Sequence, residues 1–484
     1  MNKITSLLLF TALILIVSCE KEPVKALNKE EITTYIKQQM DIQEIPGLAL
    51  GVINNGELVY EGYFGESDRE KHTKVSDKTI FPLYSVTKLM VSTAVMQLVQ
   101  QHKISLDDTV ATYIRNLPES WQDVQIKHIL THSSGLPDFH FMEWHLSDEE
   151  AWGKLIKEER HFPVGNQFEY NQTNYWLLAQ IIEKVSGTSF EKFILENQFP
   201  NAGNAVVMSS DFTDRFLNRA VRYDYNIEKK QYVNLEIKGT SRFYAANGIN
   251  SSLKELIQWN TLFDSDFLLK TAQKRQLWKP FEFTNKQDAF LHGWHVYNFK
   301  GNKSYGFTGG AHTGVWKFVA KDLTIVLLTN GYKYFPVHND IINKVAGIVD
   351  AQLKNEKADV QYKIVRSFLQ DDIQKAITNY YLVKKENPET NLDKKTSYSY
   401  ENTLNSIGYT FLNQSKTTEA IQIFELNTKE NPTSSNCFDS LGEGYLKDNQ
   451  LVLAKKNYEK ALSLNPGSET AIEMLEHIQE LIRN

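Results

Sequence analysis

The 484-residue chain is poor in the features that mark several large classes of protein. It has only two cysteines, Cys19 and Cys437, which excludes a disulfide scaffold. A net charge of −6 arises from scattered acids and bases with no long basic run, so the footprint of a nucleic-acid binder is missing. After Cys19 no apolar stretch is long enough to span a bilayer. No set of His, Asp or Glu has zinc-site spacing and no glycine-rich phosphate loop precedes a helix, so neither a metal nor a nucleotide cofactor is implied.

Apolar material is abundant instead, at 41% apolar and 12% aromatic residues, and the length suits two soluble domains. The N-terminal MNKITSLLLFTALILIVSC has one lysine, a short apolar core and small residues before Cys19, the layout of a secretory signal over 1–18 that is removed. Ile16-Val17-Ser18-Cys19 resembles a bacterial lipobox, which implies lipidation of Cys19; the plainer alternative is a simple signal with a chance cysteine. Lipidation leaves Cys437 alone, so no intrachain disulfide is expected even in an oxidising compartment. Residues 19–30 are polar and charged and read as a tether. The expected location is outside the cytoplasm, lipid-anchored to a bacterial membrane on its periplasmic or cell-surface side.

From about residue 28 the pattern is mixed α and β. LNKEEITTYIKQQM has helical spacing, and LALGVINNGELVYEGYFG reads as two strands joined at Asn54-Asn55-Gly56, a hairpin turn signal. Three more strand-like runs lie near 300–330, and the long stretch between is rich in helices. The fold expected over 31–352 is α+β, an α/β sandwich whose antiparallel sheet is formed by its N- and C-terminal parts around a helical insert. Over 358–484 the chain turns helical and periodic. Leu441, Gly442, Tyr445, Ala454, Tyr458 and Pro466 repeat Ile407, Gly408, Phe411, Ala420, Phe424 and Pro432 at an offset of 34 residues. Ala376, Tyr380 and Pro388 keep the same internal spacing, with an insertion around NLDKKTSYSY. This part resembles tetratricopeptide repeats, which implies an all-α helical module with a peptide or protein ligand.

Chemistry is concentrated in FPLYSVTKLMVSTAVMQLVQ, where Ser85 and Lys88 lie three apart at the start of a helix. One helical turn puts both side chains on one face, near the positive end of the helix. A serine hydroxyl needs a base to become a nucleophile, and a desolvated lysine with a lowered pKa can serve. The pattern itself is common, since Ser18, Ser189 and Ser251 also have lysine three residues on. Context separates Ser85: the helix after it is apolar on nearly all faces, which predicts burial.

Six ordered blocks between Ile45 and Asn330 carry a resemblance. They are IPGLALGVINNGELVYEGYFG, FPLYSVTKLMVSTAVMQLVQQHKISLDDTV, ILTHSSGLPDF, FEYNQTNYWLLAQIIEKVSG, AANGINSSLKELIQW and YGFTGG. The chain is similar to serine hydrolases of the β-lactamase and penicillin-binding-protein superfamily, in the branch of class C β-lactamases, DD-peptidases and esterases, for which the S-x-x-K motif is known. The resemblance implies that Ser85 is the acylated nucleophile, Lys88 its hydrogen-bonded partner and Tyr170 the catalytic tyrosine. A phenol takes a proton near neutral pH only if cations favour the phenolate, a role expected of Lys88. On the residues alone, Tyr170 stands among several aromatics and reads as core.

Two positions depart from the family pattern. Where Tyr-x-Asn is usual, Tyr170 is followed by Asn171 and Gln172; Gln172 is the expected substrate-carbonyl ligand on a longer stem, with Asn171 or Asn174 as substitutes. Where Lys-Thr-Gly or His-x-Gly is usual, YGFTGGAHTG offers Phe307-Thr308-Gly309 and His312-Thr313-Gly314. Only the first triplet leaves residues for a turn before the next strand, so Phe307, Thr308 and Gly309 are placed on the substrate side. Ser85 and Gly310 then supply the oxyanion-hole N–H groups. Phenylalanine attracts no carboxylate, so a small-molecule or peptide substrate with an ester or amide carbonyl is expected, with weak or no β-lactam hydrolysis. His312 is expected to replace the missing cation in part. The alternative reading is a catalytically weakened binding protein that recruits a partner through the altered pocket and the repeats.

Overall fold

At Asn54-Asn55-Gly56 the chain reverses, with Asn55 and Gly56 both at positive φ (53° and 75°), and strands Gly47–Asn54 and Glu57–Asp68 pair around the turn. Asparagine followed by glycine accepts that left-handed geometry, which matches the twist of a hairpin. The structure is a computed structural model describing residues 27–483 except 227, 287–289, 300–301, 335–337 and 389–398. The leader, Cys19, most of the tether and most of the NLDKKTSYSY insertion lie outside the described residues.

The N-terminal hairpin joins strands from the far end of the domain. In the seven-stranded sheet the order is Thr73–Lys74, Glu57–Asp68, Gly47–Asn54, Leu323–Thr329, Thr313–Phe318, Asn302–Gly309 and His295–Phe299. All neighbours are antiparallel, and Gly47–Asn54, earliest in the chain, meets Leu323–Thr329, the latest, with Leu50 opposite Leu327. The expected closure of one antiparallel sheet by both ends of the domain is what the chain forms.

Alternation along the strands gives the sheet two apolar faces. Leu48, Leu50, Val52, Trp316, Ile325 and Leu327 pack with Ile32 and Ile36 of helix Lys29–Gln43 and with Ile341 and Val345 of helix His338–Val349. Ala49, Val315, Val326 and Leu328 belong to the other face, whose cluster contains the helical insert. In that cluster lies helix Thr87–Gln100, where Leu89, Met90, Val91, Ala94, Val95, Met96 and Leu98 are fully buried. The helix is apolar all round because protein surrounds it.

Beyond residue 355 seven helices follow among the described residues, from Glu356–Gln370 to Glu469–Arg483, and share a cluster of their own. The first packs back on the sheet domain, with Tyr362 edge-on to Tyr35 and Asp359 2.7 Å from Lys344. The small residues of the 34-residue pattern sit where helices cross. A Cβ on Gly408 would come 2.4 Å from the Phe424 ring, and one on Gly442 3.0 Å from Tyr458. Gly408→Val should therefore cost about 1–3 kcal/mol by overpacking this crossing. A lowered urea midpoint for the helical region checks it; an unchanged midpoint would show that the crossing has slack.

Candidate active site

Ser85 lies in a 3-10 turn, Tyr84–Val86, that feeds directly into helix Thr87–Gln100. Tyr84 stands before it at φ 50°, a left-handed conformation uncommon for a tyrosine. One turn along, Lys88 is fully buried, and its Nζ lies 3.4 Å from Ser85 Oγ. The amine also donates to Gln172 Oε1 at 2.9 Å and to the Ala246 carbonyl at 2.8 Å. From the opposite loop the Tyr170 hydroxyl donates to Ser85 Oγ at 2.8 Å. Ser85, Lys88, Tyr170 and Gln172 thus meet at one oxygen and one nitrogen.

Burial lowers the Lys88 pKa to about 7, opposed by the charge of Asp138. A neutral amine has two N–H groups and one lone pair. The Gln172 and Ala246 oxygens take the two N–H groups, which leaves the lone pair for the Ser85 hydroxyl. Tyr170 behaves otherwise than expected. The residue is 37% exposed at the pocket mouth, yet its hydroxyl is desolvated, and burial raises its pKa well above that of free tyrosine against hydrogen bonds with Ser85 and Gln172 that lower it. Lys88, with Nζ 5.0 Å from the ring centroid, is not among the groups that lower it, contrary to the role expected of it. The geometry leaves the lone pair of a neutral Lys88 facing Ser85 Oγ and has the Tyr170 hydroxyl donate to the same oxygen.

The segment ILTHSSGLPDF, whose role the residues alone did not reveal, clasps the loop that carries Tyr170 and Gln172. His132 accepts the Glu169 N–H at its carbonyl (2.9 Å) and the Asn171 N–H at Nδ1 (3.0 Å), and its ring lies against that of Tyr170 at a tilt of 37° with centroids 4.6 Å apart. Leu136 accepts from the Asn171 amide, Ser134 donates to Asn174, and Thr173 accepts from the Phe139 N–H. Asn171 and Asn174 are buried and committed to this clasp, so neither stands in for the family's substrate-binding asparagine. Asp138 is buried as well, accepts the His140 N–H at 3.0 Å and the Gln172 N–H, and has its pKa raised by burial. No spacing rule pointed to Asp138 or to the Ala246 carbonyl, because both reach Lys88 only through tertiary folding.

Phe307, Thr308 and Gly309 end strand Asn302–Gly309, and residues 310–312 turn into strand Thr313–Phe318. Phe307 is buried, with its ring centroid 6.2 Å from that of Tyr170, so an apolar wall stands where a cation is usual. Thr308 Oγ1 accepts from the Tyr297 hydroxyl at 3.5 Å. A Cβ on Gly309 would fall 2.2 Å from the Leu83 carbonyl, and Gly310, at φ 53°, lies against the Tyr84 ring. Glycine is required for this approach, which brings Gly310 beside the residue preceding Ser85. His312 does not replace the missing cation. It is buried behind the turn, its Nε2 accepts from Arg222 Nε at 3.0 Å, and burial together with Arg222 holds its pKa well below that of free histidine. Among the described residues no group of three or more His, Cys, Asp or Glu is arranged to hold a metal ion.

A family model described as Beta-lactamase matches residues 32–346. Protein flp of Staphylococcus aureus (strain NCTC 8325 / PS 47) is 26% identical over 176 residues, 34% of this chain and 35% of the relative. The putative penicillin-binding protein PbpX of Bacillus subtilis (strain 168) is 28% identical over 246 residues, 50% of this chain and 59% of the relative. The chain thus spans about a third of the length of the first and three fifths of the second. Penicillin-binding protein 4* of Bacillus subtilis (strain 168) is 24% identical over 333 residues, 63% of this chain and 72% of the relative. Among solved structures, the octameric penicillin-binding protein homologue from Pyrococcus abyssi aligns with a TM-score of 0.60 at 23% identity, over 70% of this chain and 82% of that one. The likeness to that structure is one of fold.

The carboxylate of Asp138 is the charge that opposes the fall in the Lys88 pKa, which gives its replacement a sign. Asp138→Asn removes that support, so the Lys88 pKa falls further and the acid limb of Ser85 acylation moves to lower pH. The pH dependence of labelling by a fluorophosphonate checks this; a limb that stays in place or moves up would contradict it.

Proposed function

The chain belongs to the beta-lactamase family, and from that premise we propose that it hydrolyses neutral esters, amides or peptides through an acyl-enzyme on Ser85. Family membership supports a serine hydrolase of the β-lactamase and penicillin-binding-protein superfamily; the substrate preference is our reading of the pocket. The observation that carries it is the buried Lys88, lowered to about 7 and hydrogen-bonded so as to leave a lone pair for Ser85.

In the proposed reaction Ser85 Oγ attacks the carbonyl carbon while its proton passes to Lys88. The charge on the carbonyl oxygen is held by the Ser85 and Gly310 N–H groups, whose donors act on a group that develops only as the bond forms. Tyr170 gives its proton to the departing alcohol or amine and recovers one from the Lys88 ammonium. Water then attacks the acyl-enzyme by the same steps in reverse order, and Ser85 regains its proton. Gln172, tied to Lys88 through Oε1 and to the Tyr170 hydroxyl through its amide, has one N–H left for a substrate carbonyl. Phe307 favours a neutral substrate over one carrying a carboxylate, since nothing there compensates the desolvation of an anion.

The same reading places the enzyme outside the cytoplasm on a lipid at Cys19, with the C-terminal helices taking a peptide or protein partner.

Incubation with a fluorophosphonate and, separately, a fluorescent penicillin, followed by peptide mapping, tests the proposal. Ser85 is expected to carry the fluorophosphonate and little or no penicillin. A folded sample in which neither reagent marks Ser85 would sink the hydrolase reading and favour a binding protein. Phe307→His should raise penicillin acylation by about tenfold or more, because a charge-assisted contact to the carboxylate is restored. An unchanged or lower rate would count against Phe307 as the specificity position.

A further inference from the structure

A chain of side chains behind the 310–312 turn has no part in the reaction as described. We propose that Asp224, Arg222 and His312 form a positioning relay that fixes the oxyanion pocket by holding the Gly310 N–H and the Tyr84–Ser85 backbone against each other. This inference rests on the serine-hydrolase reading.

The turn needs such a hold. Gly310 and Ala311 are both left-handed, at φ 53° and 61°, and for an alanine that conformation is unfavourable. His312 ties the turn down at three places. Its N–H donates to the Gly309 carbonyl at 2.8 Å, and its own carbonyl accepts from Thr329 N at 3.0 Å and Thr329 Oγ1 at 2.9 Å. Its ring lies between Tyr84 and Tyr332, with centroids 5.6 Å and 4.8 Å away. The Tyr84 ring in turn stacks on Phe212 at 5.8 Å and meets the α-carbon position of Gly310 so closely that a Cβ there would fall 2.9 Å from it. Thr313 Oγ1 adds a bond to the Leu83 carbonyl at 2.9 Å. Movement of His312 therefore reaches both oxyanion donors, one through the turn and one through Tyr84.

Arg222 locks His312. Its Nε donates to His312 Nε2 at 3.0 Å, its Nη2 lies 2.8 Å from Asp224 Oδ1, and its guanidinium sits over the Tyr84 ring at 5.8 Å. The bond from Arg222 requires a bare Nε2, so the proton of the neutral ring is on Nδ1, 3.5 Å from Thr329 Oγ1. A guanidinium offers the planar fork that one carboxylate and one imidazole need together, whereas lysine offers a point charge. Asp224 neutralises the cation and sets the plane of the fork. Neither Arg222 nor Asp224 is a catalytic residue; both act through His312.

The test uses Arg222→Met, His312→Leu and the double variant, with His312→Gln as the conservative change that keeps an acceptor for Arg222. Each is assayed on a p-nitrophenyl ester and its thionoester, because sulfur accepts hydrogen bonds poorly and draws less from an oxyanion hole. Arg222→Met should lower kcat on the ester by about 10- to 100-fold, in the range seen when one oxyanion donor is lost. KM should stay within about twofold, the ester-to-thionoester rate ratio should fall, the double variant should be no worse than the poorer single one, and His312→Gln should retain most of the activity. A rise in KM with kcat preserved, equal losses on both substrates, or losses that multiply in the double variant would overturn the relay. Should the wild type hydrolyse neither substrate, the hydrolase reading fails on its own. Hydrogen exchange of the amides of residues 309–312 then decides the relay: faster exchange in Arg222→Met supports it, and unchanged exchange overturns it.

Discussion

A lysine amine kept dry is the constraint on which the rest of this protein depends. In water the Lys88 side chain would be protonated at any physiological pH and useless as a base. Burial moves it to about 7, and burial needs a helix surrounded by protein on every side. The seven-stranded sheet and the helical insert supply that surrounding, with Leu89, Met90 and Val91 directly beside the lysine and all without solvent contact. A buried amine still requires hydrogen bonds, and the Gln172 and Ala246 oxygens meet that need without adding a charge. A carboxylate in their place would hold the amine protonated. Asp138 lies near enough to oppose the shift, yet Lys88 makes no ion pair with it among the described residues.

Two devices bring the remaining groups to that amine. The segment from His132 to Phe139 clasps the Tyr170 loop through backbone and side-chain hydrogen bonds, so the tyrosine hydroxyl and the Gln172 amide arrive from a preset direction. From the other side the sheet delivers the 310–312 turn, pressed by Gly309 and Gly310 against Leu83 and Tyr84. Ser85 thus sits where a helix start, a loop and a sheet turn converge, each fixed by a different part of the chain. Such convergence is how a site gains the geometric precision that catalysis requires.

Much of this was legible in the sequence where the signal is local. The hairpin at Asn54-Asn55-Gly56, the strand runs near 300–330 and the apolar helix after Ser85 each report their own surroundings through turn chemistry or periodicity. The closeness of Ser85 to Lys88 follows from one helical turn. Tyr170 is distant in the chain and stands among other aromatics, so only the resemblance singled it out. Its pKa lies on the other side of the free value from the expectation because a sequence shows that a lysine is near but not that both groups are desolvated. His312 departs from the spare cation expected of it for a related reason: its burial and its bond from Arg222 depend on a residue from a separate segment of the insert. The Ala246 carbonyl and Asp138 are not legible in the sequence, since a backbone oxygen has no sequence signature and one aspartate in a loop has no periodicity. What composition and spacing convey is who neighbours whom along an element; protonation is decided by what folds around it.

The protonation state of Lys88 is the most direct test. With [ε-¹³C]lysine incorporated and the Lys88 resonance assigned by its absence in Lys88→Met, its chemical shift is followed against pH by NMR. A transition centred near 7 is the result expected from burial. A transition near the free-lysine value of about 10.4 would show that the amine is solvated and protonated, and would contradict the role proposed for it as the base for Ser85.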